Sequence, residues 1–327
     1  MANETAFNMG ASNIRFGPGA TREIGMDLAD MGAKQVLVMT DPNLAKLAPV
    51  STLLQSLDDN NVSYTLFDQV RVEPTDGSLK EAIAFANANP CDAFVAIGGG
   101  STIDTTKAAN LYSTYPADFL DYVNAPIGKG KPIPGALKPL IAIPTTAGTG
   151  SETTGVVIFD LVEMHAKTGI GSLRLKPTLG LLDPENITSL PGPVAASTGL
   201  DVLTHAVESY TAVPYDQRPA PDRPILRPAY QGSNPISDTW SIQSLRMLAK
   251  YLRRAVEDPT DIEARGTMLL AASYAGIGFG NAGVHLAHGM SYPVSGMVRD
   301  YKPEGYTVDW PIVPHGTAVV LNAPAVF

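Results

Sequence analysis

Four side chains in the second half of the chain have the types and spacing of a divalent-metal site: Asp201 and His205 in TGLDVLTHAVESY, His288 in HLAHGMSYP and His315 in VPHGTAVV. One carboxylate and three imidazoles suit a first-row ion such as Fe(II) or Zn(II) and point to chemistry rather than packing. Asp201 and His205 are i and i+4 in a segment whose apolar residues Leu200, Val202, Leu203, Ala206 and Val207 predict a buried helix, so both point the same way. His288 lies in the Gly-interrupted stretch GIGFGNAGVHLAHGM, which reads as one helix buried on most sides, where an unpaired imidazole would be costly. His315 follows a proline and precedes Gly316, as a ligand on a turn at a helix start would. A lone histidine of this kind is more often a hydrogen-bonded core residue. Three of the five histidines in such contexts, one of them four residues from an aspartate, shift the balance towards a ligand set.

The elements that must position these residues follow from the apolar pattern. Runs at Gln35–Met39, Ala93–Ile97, Pro139–Ile143 and Thr178–Leu182 predict strands, with helices at Thr21–Met31, Ser78–Asn87 and Thr102–Leu111. Continuous apolar strands alternating with helices predict a parallel sheet covered on both faces, with ligands beyond the carboxyl ends of its strands. The run Gly98-Gly99-Gly100-Ser101 passes from a strand directly into a helix, where backbone N–H groups and the helix dipole favour an anion; it reads as a pyrophosphate cradle or, alternatively, a tight turn. Asp41, at the end of the first of these strands, could bind an adenosine ribose and repel a 2′-phosphate, favouring NAD over NADP, or could serve only its turn. The segment Ala147 to Thr154 suits a loop against a flat polar ligand or a solvated loop. The second half reads as largely helical, apart from a proline-rich insertion, 213–235, expected to be an ordered surface loop because Tyr215, Ile225, Leu226 and Tyr230 are interspersed.

At 327 residues, 44% of them hydrophobic and 17% charged, the chain can bury a large core and is expected to form two domains. A net charge of −9 argues against nucleic acid as a partner, and no apolar run is long enough to cross a bilayer. The single cysteine, Cys91, excludes an internal disulfide framework and reads as a half-buried residue before a strand. The N-terminus lacks the pattern of a signal or transit peptide, which predicts a cytoplasmic protein or the mature form of an organellar one.

The segments GGGSTIDTTK (98–107), PTTAGTGSE (144–152), GLDVLTHAVESY (199–210), HGMSYP (288–293) and PHG (314–316) resemble, in order and over almost the whole chain, the signatures of the iron-containing, or group III, alcohol dehydrogenases. That resemblance implies an N-terminal α/β domain with a parallel dinucleotide-binding sheet, 1–187, and an all-α metal and substrate domain, 188–327. It implies a metal, Fe(II) with Zn(II) as the alternative, held by Asp201, His205, His288 and His315. It also implies tightly held NAD, with NADP the alternative, contacted by Asp41, Gly99, Gly100, Ser101, Asp104, Thr145, Thr146, Thr149, Ser151, Thr154 and Lys167. Within the family the resemblance is to the hydroxyacid-oxoacid transhydrogenase branch, carried by NIRFGPGATREIGMDL, RVEPTDGS, DFLDYVNAPIGKGKP, the insertion through RPAYQGSNPISD, and IGFGNAGVHLAHGMSYPVSG. It implies hydride transfer from 4-hydroxybutyrate to 2-oxoglutarate, small acids as the only partners besides a second subunit of a homodimer, and the mitochondrial matrix as compartment in a eukaryote.

Two departures qualify the resemblance. Where some relatives carry a second histidine four residues after the third ligand, thought to relay protons, this chain has Tyr292, with His285 three residues before His288 as a substitute or a structural histidine. Relatives also continue past the PHG segment through further helices, so the chain is expected to lack the helices that cover the metal domain. Arg299 and Lys302 are candidates for binding substrate carboxylates or are surface charges. An ordinary NAD-linked alcohol dehydrogenase, a lyase of the dehydroquinate-synthase type and a noncatalytic nucleotide-binding remnant remain open as alternatives.

Overall fold

A computed structural model describes residues 2–327. The chain divides into two compact units: a sheet unit, Ser12–Thr145 with Val156–Thr188, and a helical unit, in which Thr146–Gly155 and the residues up to Ala11 join Ser189–Phe327.

The sheet unit is built on six parallel strands, β1 (Asn13–Phe16), β2 (Gln35–Met39), β3 (Ser63–Phe67), β4 (Ala93–Gly98), β5 (Leu140–Pro144) and β8 (Leu179–Leu182), in the order β1-β8-β5-β4-β2-β3. A separate antiparallel hairpin, β6 (Val156–Leu161) with β7 (Ala166–Gly171), accompanies them. Alternation along the central strands explains why both faces are apolar. Val36, Val38, Val95, Ile97, Ile141 and Ile143 pack with Ile24, Leu28, Val50, Leu53 and Leu57 of α1 (Ile24–Asp30) and α2 (Ala48–Asp59). Leu37, Met39, Phe94, Ala96, Leu140 and Ala142 pack on the other face with Ala82, Ala86, Ile103 and Ala109 of α3 (Asp76–Ala88) and α4 (Gly100–Thr114). A polar residue at any of these positions would meet one helical layer or the other, so these strands are continuous apolar runs and read clearly from sequence. The edge strands β1 and β3 do not, because their burial is partial, and the hairpin does not, because β7 is polar and glycine-rich although buried.

Strand β2 lies between β3 on one side and β4 on the other, so successive crossovers leave β2 and β4 in opposite directions. At this switch point Thr40-Asp41 and the Gly99-Gly100-Ser101 turn sit beyond the carboxyl ends of the two strands, where ligands of such sheets bind. A buried carboxylate closes the same end of the sheet. Asp183, immediately after β8, accepts hydrogen bonds from the N–H groups of Gly19 (2.9 Å), Thr21 (3.0 Å) and Glu185 (3.0 Å) and from the Thr21 hydroxyl (2.7 Å).

In the helical unit, α6 (Gly192–Thr211), α7 (Pro235–Glu257) and α8 (Ile262–Ala282) pack together, followed by α9 (Leu286–Gly296), α10 (His315–Val320) and the short α11 (Ala323–Val326); a short α5 (Phe119–Tyr122) belongs to the sheet unit. The glycines of α8 serve close approach. Gly150, at φ 59°, sits so near that a Cβ on it would lie 2.7 Å from the Cα of Gly276, and a Cβ on Gly276 would lie 2.7 Å from the Gly150 carbonyl oxygen. That contact seats the 146–155 loop on α8, and the buried carboxylate of Glu152 accepts the hydroxyl of Ser273 beside it.

The stretch read as a single helix around His288 is two. Helix α8 ends at Ala282, Gly283 takes φ 110°, and α9 begins only at Leu286. The apolar, Gly-rich composition hid the break, because a glycine past a helix end and one inside a crowded helix look alike in sequence. The insertion at 213–235 is irregular, with one-turn helices at Tyr215–Gln217 and Pro224–Leu226. It is tied to the N-terminal segment by Arg227 with Glu4 (2.9 and 3.0 Å) and by reciprocal bonds between Gln231 and the backbone of Asn8 (2.8 and 2.9 Å).

Replacing Asp183 by Ala orphans three backbone donors and a hydroxyl in a buried setting. A loss of about 2–3 kcal/mol is expected in urea unfolding of the sheet unit, with Asp183→Asn losing less; equal midpoints for Asp183→Ala and wild type would show that these bonds do not carry the β8 end.

Candidate metal centre

Helix α6 carries Asp201 and His205 one turn apart on its buried face, 2% and 4% exposed. Helix α9 brings His288, and α10 brings His315 as its first residue, after Pro314. Gly316 makes the last approach feasible: a Cβ there would lie 1.9 Å from the Ser197 carbonyl oxygen and 2.9 Å from Cβ of Asp201, so any side chain would push α10 off α6. The ring of His205 stacks on Phe279 of α8 (centroids 4.0 Å apart) and on His288 (4.5 Å).

One atom of each of the four side chains falls within 4.8 Å of the others. Asp201 Oδ1 is 3.6 Å from His288 Nε2 and 3.8 Å from His315 Nε2, while Asp201 Oδ2 is 3.7 Å from His205 Nδ1. These separations are too long for hydrogen bonds and short enough to share one ion. Asp201 Oδ1, His205 Nδ1 and His288 Nε2 are buried without a hydrogen-bond partner, a costly arrangement that a divalent cation would relieve. The donor set of three nitrogens and one carboxylate oxygen therefore fits the metal that the sequence suggests.

Electrostatics agree with that fit. Burial opposes charge on Asp201, but the imidazoles of His205, His315 and His288 outweigh it and hold the carboxyl well below its ordinary range. Burial pushes His205 down to about 3, so it is neutral and able to donate a lone pair at any ordinary pH. Burial opposes charge on His288 too, yet the carboxylates of Asp201 and Glu208 on its two sides raise it to about 9.

Glu208 is the residue that the sequence reading missed. It is fully buried, and its Oε1 accepts the N–H groups of His285 (3.1 Å), Ala287 (2.8 Å) and His288 (3.3 Å), capping α9, whose N-cap His285 makes no side-chain cap. Its Oε2 accepts the Nδ1–H of His288, which leaves Nε2, turned to Asp201, as the nitrogen that gives up its proton to become the lone-pair donor. Burial would raise the Glu208 pKa, but these bonds with His288 and the α9 backbone hold it low. Its signal was present: Glu208 lies seven residues after Asp201 and three after His205, on the same helical stripe.

His285 stands apart from the four ligands, its Nε2 2.9 Å from the Thr211 hydroxyl and its Nδ1 3.5 Å from Glu208. Tyr292, half-buried, follows His288 by one turn on the same side of α9. Arg299 and Lys302 are exposed, with Lys302 bonded to the Asp309 carbonyl (2.7 Å).

The residues expected to hold a nucleotide fall into two groups. In the sheet unit, Gly99 caps α4, Gly100 and Ser101 form its first turn, and the Thr145 N–H reaches the Gly98 carbonyl (3.0 Å). Asp41 accepts the N–H groups of Asn43 (2.9 Å) and Leu44 (3.0 Å) through Oδ1, the turn role that sequence allowed. Asp104 accepts the Ile158 N–H of the hairpin (2.9 Å), and Lys167 is buried between Glu73 (2.9 Å) and Asp160 (3.1 Å). Burial would lower the Lys167 pKa, but the two carboxylates raise it. In the helical unit, Thr146, Thr149, Ser151 and Thr154 lie on the loop seated on α8, where the Thr149 hydroxyl accepts the Ser151 N–H (3.2 Å).

Comparison with known proteins places the chain in a class. Residues 11–184 match iron-containing alcohol dehydrogenase and residues 229–327 match the C-terminal part of the Fe-containing alcohol dehydrogenase family, and the chain belongs to this family. It is 62% identical over 324 residues to the mitochondrial hydroxyacid-oxoacid transhydrogenase of Rattus norvegicus, a match covering 98% of this chain and 69% of the relative. Among solved structures, 1,3-propanediol oxidoreductase superposes with a TM-score of 0.83 at 29% identity, covering 98% of this chain and 75% of that one. Sulfoacetaldehyde reductase from Bifidobacterium kashiwanohense in complex with NAD+ superposes with a TM-score of 0.80 at 27% identity, covering 99% and 76%.

Exchanging Glu208 for Gln can place an amide N–H against Nδ1 of His288 and so favour the tautomer with Nε2 protonated. Metal affinity is expected to fall about 10–100-fold while the helical content is kept; an unchanged dissociation constant in Fe(II) or Zn(II) titrations would contradict the orienting role. Because metal must displace the proton held on His288 below about pH 9, apparent affinity should strengthen as pH rises towards 9, by about tenfold per unit, and weaken on acidification. A titration series between pH 6 and 9 measures the slope.

Proposed function

We propose that this protein carries hydride from 4-hydroxybutyrate, or a similar hydroxy acid, to 2-oxoglutarate, yielding succinate semialdehyde and 2-hydroxyglutarate. The observation that carries the metal half of the reading is the convergence of Asp201, His205, His288 and His315 with three buried donor atoms lacking hydrogen bonds. Its substrate half rests on the 62% identity with a protein named for hydroxyacid-oxoacid transhydrogenation. Fe(II), with Zn(II) as the alternative, would be held by those four residues, and NAD by the Gly99–Ser101 turn and the threonine-rich loop. Bound together, they would polarise the substrate oxygen and accept then return the hydride.

The chain's own residues prepare for that chemistry. Neutral His205 presents a lone pair, and His288, its Nδ1–H held by Glu208, presents one at Nε2 once the proton there is displaced by the incoming metal, while Asp201 supplies the one negative charge that offsets a divalent cation. The N-terminus of α4 offers backbone N–H groups to a pyrophosphate, and Asp41, at the end of β2, disfavours a 2′-phosphate, so NAD is the cofactor and NADP the less favoured one. Tyr292, one turn after His288, and His285 are the polar groups we assign to proton movement near the substrate hydroxyl.

Among the described residues no helix is long and apolar enough to cross a membrane, and the rat relative is named as mitochondrial. The reading places the protein in the cytoplasm or, in a eukaryote, the mitochondrial matrix, and its assembly as a homodimer.

The discriminating assay supplies 4-hydroxybutyrate and 2-oxoglutarate without added nucleotide. Equimolar succinate semialdehyde and 2-hydroxyglutarate are expected, with deuterium placed on C4 of the donor recovered on C2 of the product. A strict requirement for added NAD would favour an ordinary alcohol dehydrogenase instead. His288→Ala should lose both metal and turnover, by at least a hundredfold in rate.

A further inference from the structure

The sheet unit holds a second feature that the metal and nucleotide readings leave unused. A cavity of about 280 Å³ is lined by Lys107, Asn110, Lys138, Arg174, Lys176 and Thr178, with leucine and alanine side chains completing the wall. Leu140 opens β5 and Thr178 immediately precedes β8, so the cavity lies at the amino ends of the parallel strands. The Gly98–Ser101 turn is at their carboxyl ends. The two sites are separated by the length of the sheet.

Four of the ten lining residues are cationic and none is acidic. Lys107 is fully buried and its ammonium is held by the Val156 carbonyl (3.0 Å) and by Asp104 (3.5 Å), which lies outside the lining set. Lys138 lies with its ammonium 5.9 Å from the centre of the Phe94 ring, and Arg174, exposed, stands at the rim on the turn capped by Ser172. Burial and the charge of Lys107 together push the Lys176 amine down to about 8. Like charges around a concave, low-dielectric wall raise the local potential and draw in anions. An anion within reach would offset that repulsion and favour the charged form of Lys176. The volume is just under the ~300–1,000 Å³ typical of pockets for drug-sized ligands, which suits a metabolite-sized occupant.

We propose that this cavity binds a small phosphate compound, its phosphate taken by Lys138, Arg174 and Lys176 and any carbon body by Leu137, Leu140 and Leu175. The planar fork of Arg174 suits two phosphate oxygens at once, while the lysines act as point charges. Free phosphate and a short-chain phosphomonoester share this chemistry, and the leucine wall distinguishes them.

Isothermal titration calorimetry tests it with potassium phosphate and with glycerol 3-phosphate, against potassium chloride at equal ionic strength. Saturable binding of at least one of the two is expected in the wild type. The double variant Lys138→Gln/Arg174→Gln, which alters a half-buried and an exposed side chain, should weaken that binding at least tenfold with NAD affinity unchanged. Tighter binding of glycerol 3-phosphate would assign the leucine wall to a carbon body, and equal binding would assign the site to free phosphate. Absence of saturable binding over the chloride control, undiminished binding in the double variant, or a parallel loss of NAD affinity would overturn the proposal.

Discussion

The buried carboxylate of Glu208 accepts three backbone N–H groups at the start of α9 and the Nδ1–H of His288. Through these bonds a residue of α6 fixes the position of α9, the orientation of the imidazole it carries, and the tautomer of that imidazole. An anion without solvent access persists only where donors surround it, and here the donors are the free N–H groups that every helix start leaves unmet. The same bonds that make Glu208 tolerable therefore make α9 begin where it does.

Asp201 poses the same problem on the opposite side of His288, with a different solution. Its carboxylate is surrounded by imidazoles at 3.6–3.8 Å rather than by hydrogen-bond donors. Such a cluster is stabilised weakly by its own charges and strongly by a cation, so binding of metal and stability of the helical unit are thermodynamically linked. Small residues permit the convergence. Gly316 lets α10 touch α6, and the paired glycines 150 and 276 seat the threonine-rich loop on α8. Each is a position where a single methyl group would meet backbone.

The sheet unit shows how far pattern alone carries. Strands β2, β4, β5 and β8 were legible because continuous apolar runs of four to six residues can be buried only between two helical layers. The glycine turn after β4 was legible for its place between strand and helix. Edge strands β1 and β3 escaped, since partial burial leaves no continuous run to detect, and the hairpin escaped because β7 (AKTGIG) is polar and glycine-rich although buried, which hides the partner of the apolar β6. Among polar residues near the turn, sequence could not name the protein partners: Asp104 bonds the hairpin, and Lys167 sits between Asp160 and Glu73, whose own N–H bonds Ser101 of the turn.

The amino-acid sequence by itself determined the family, the alternating architecture of the first half, and the identity of four metal ligands as candidates, because residue type and spacing suffice for each of these. It could not determine that the Gly-rich stretch before His288 breaks at Gly283, that Glu208 belongs to the centre, or that residues 146–155 group with the helices rather than with the sheet from which they emerge. Each of these depends on where a second segment, distant in sequence, comes to rest. A helix start needs an acceptor from elsewhere, a buried carboxylate needs donors from elsewhere, and a glycine is required only where another backbone arrives, so only the tertiary structure decides them.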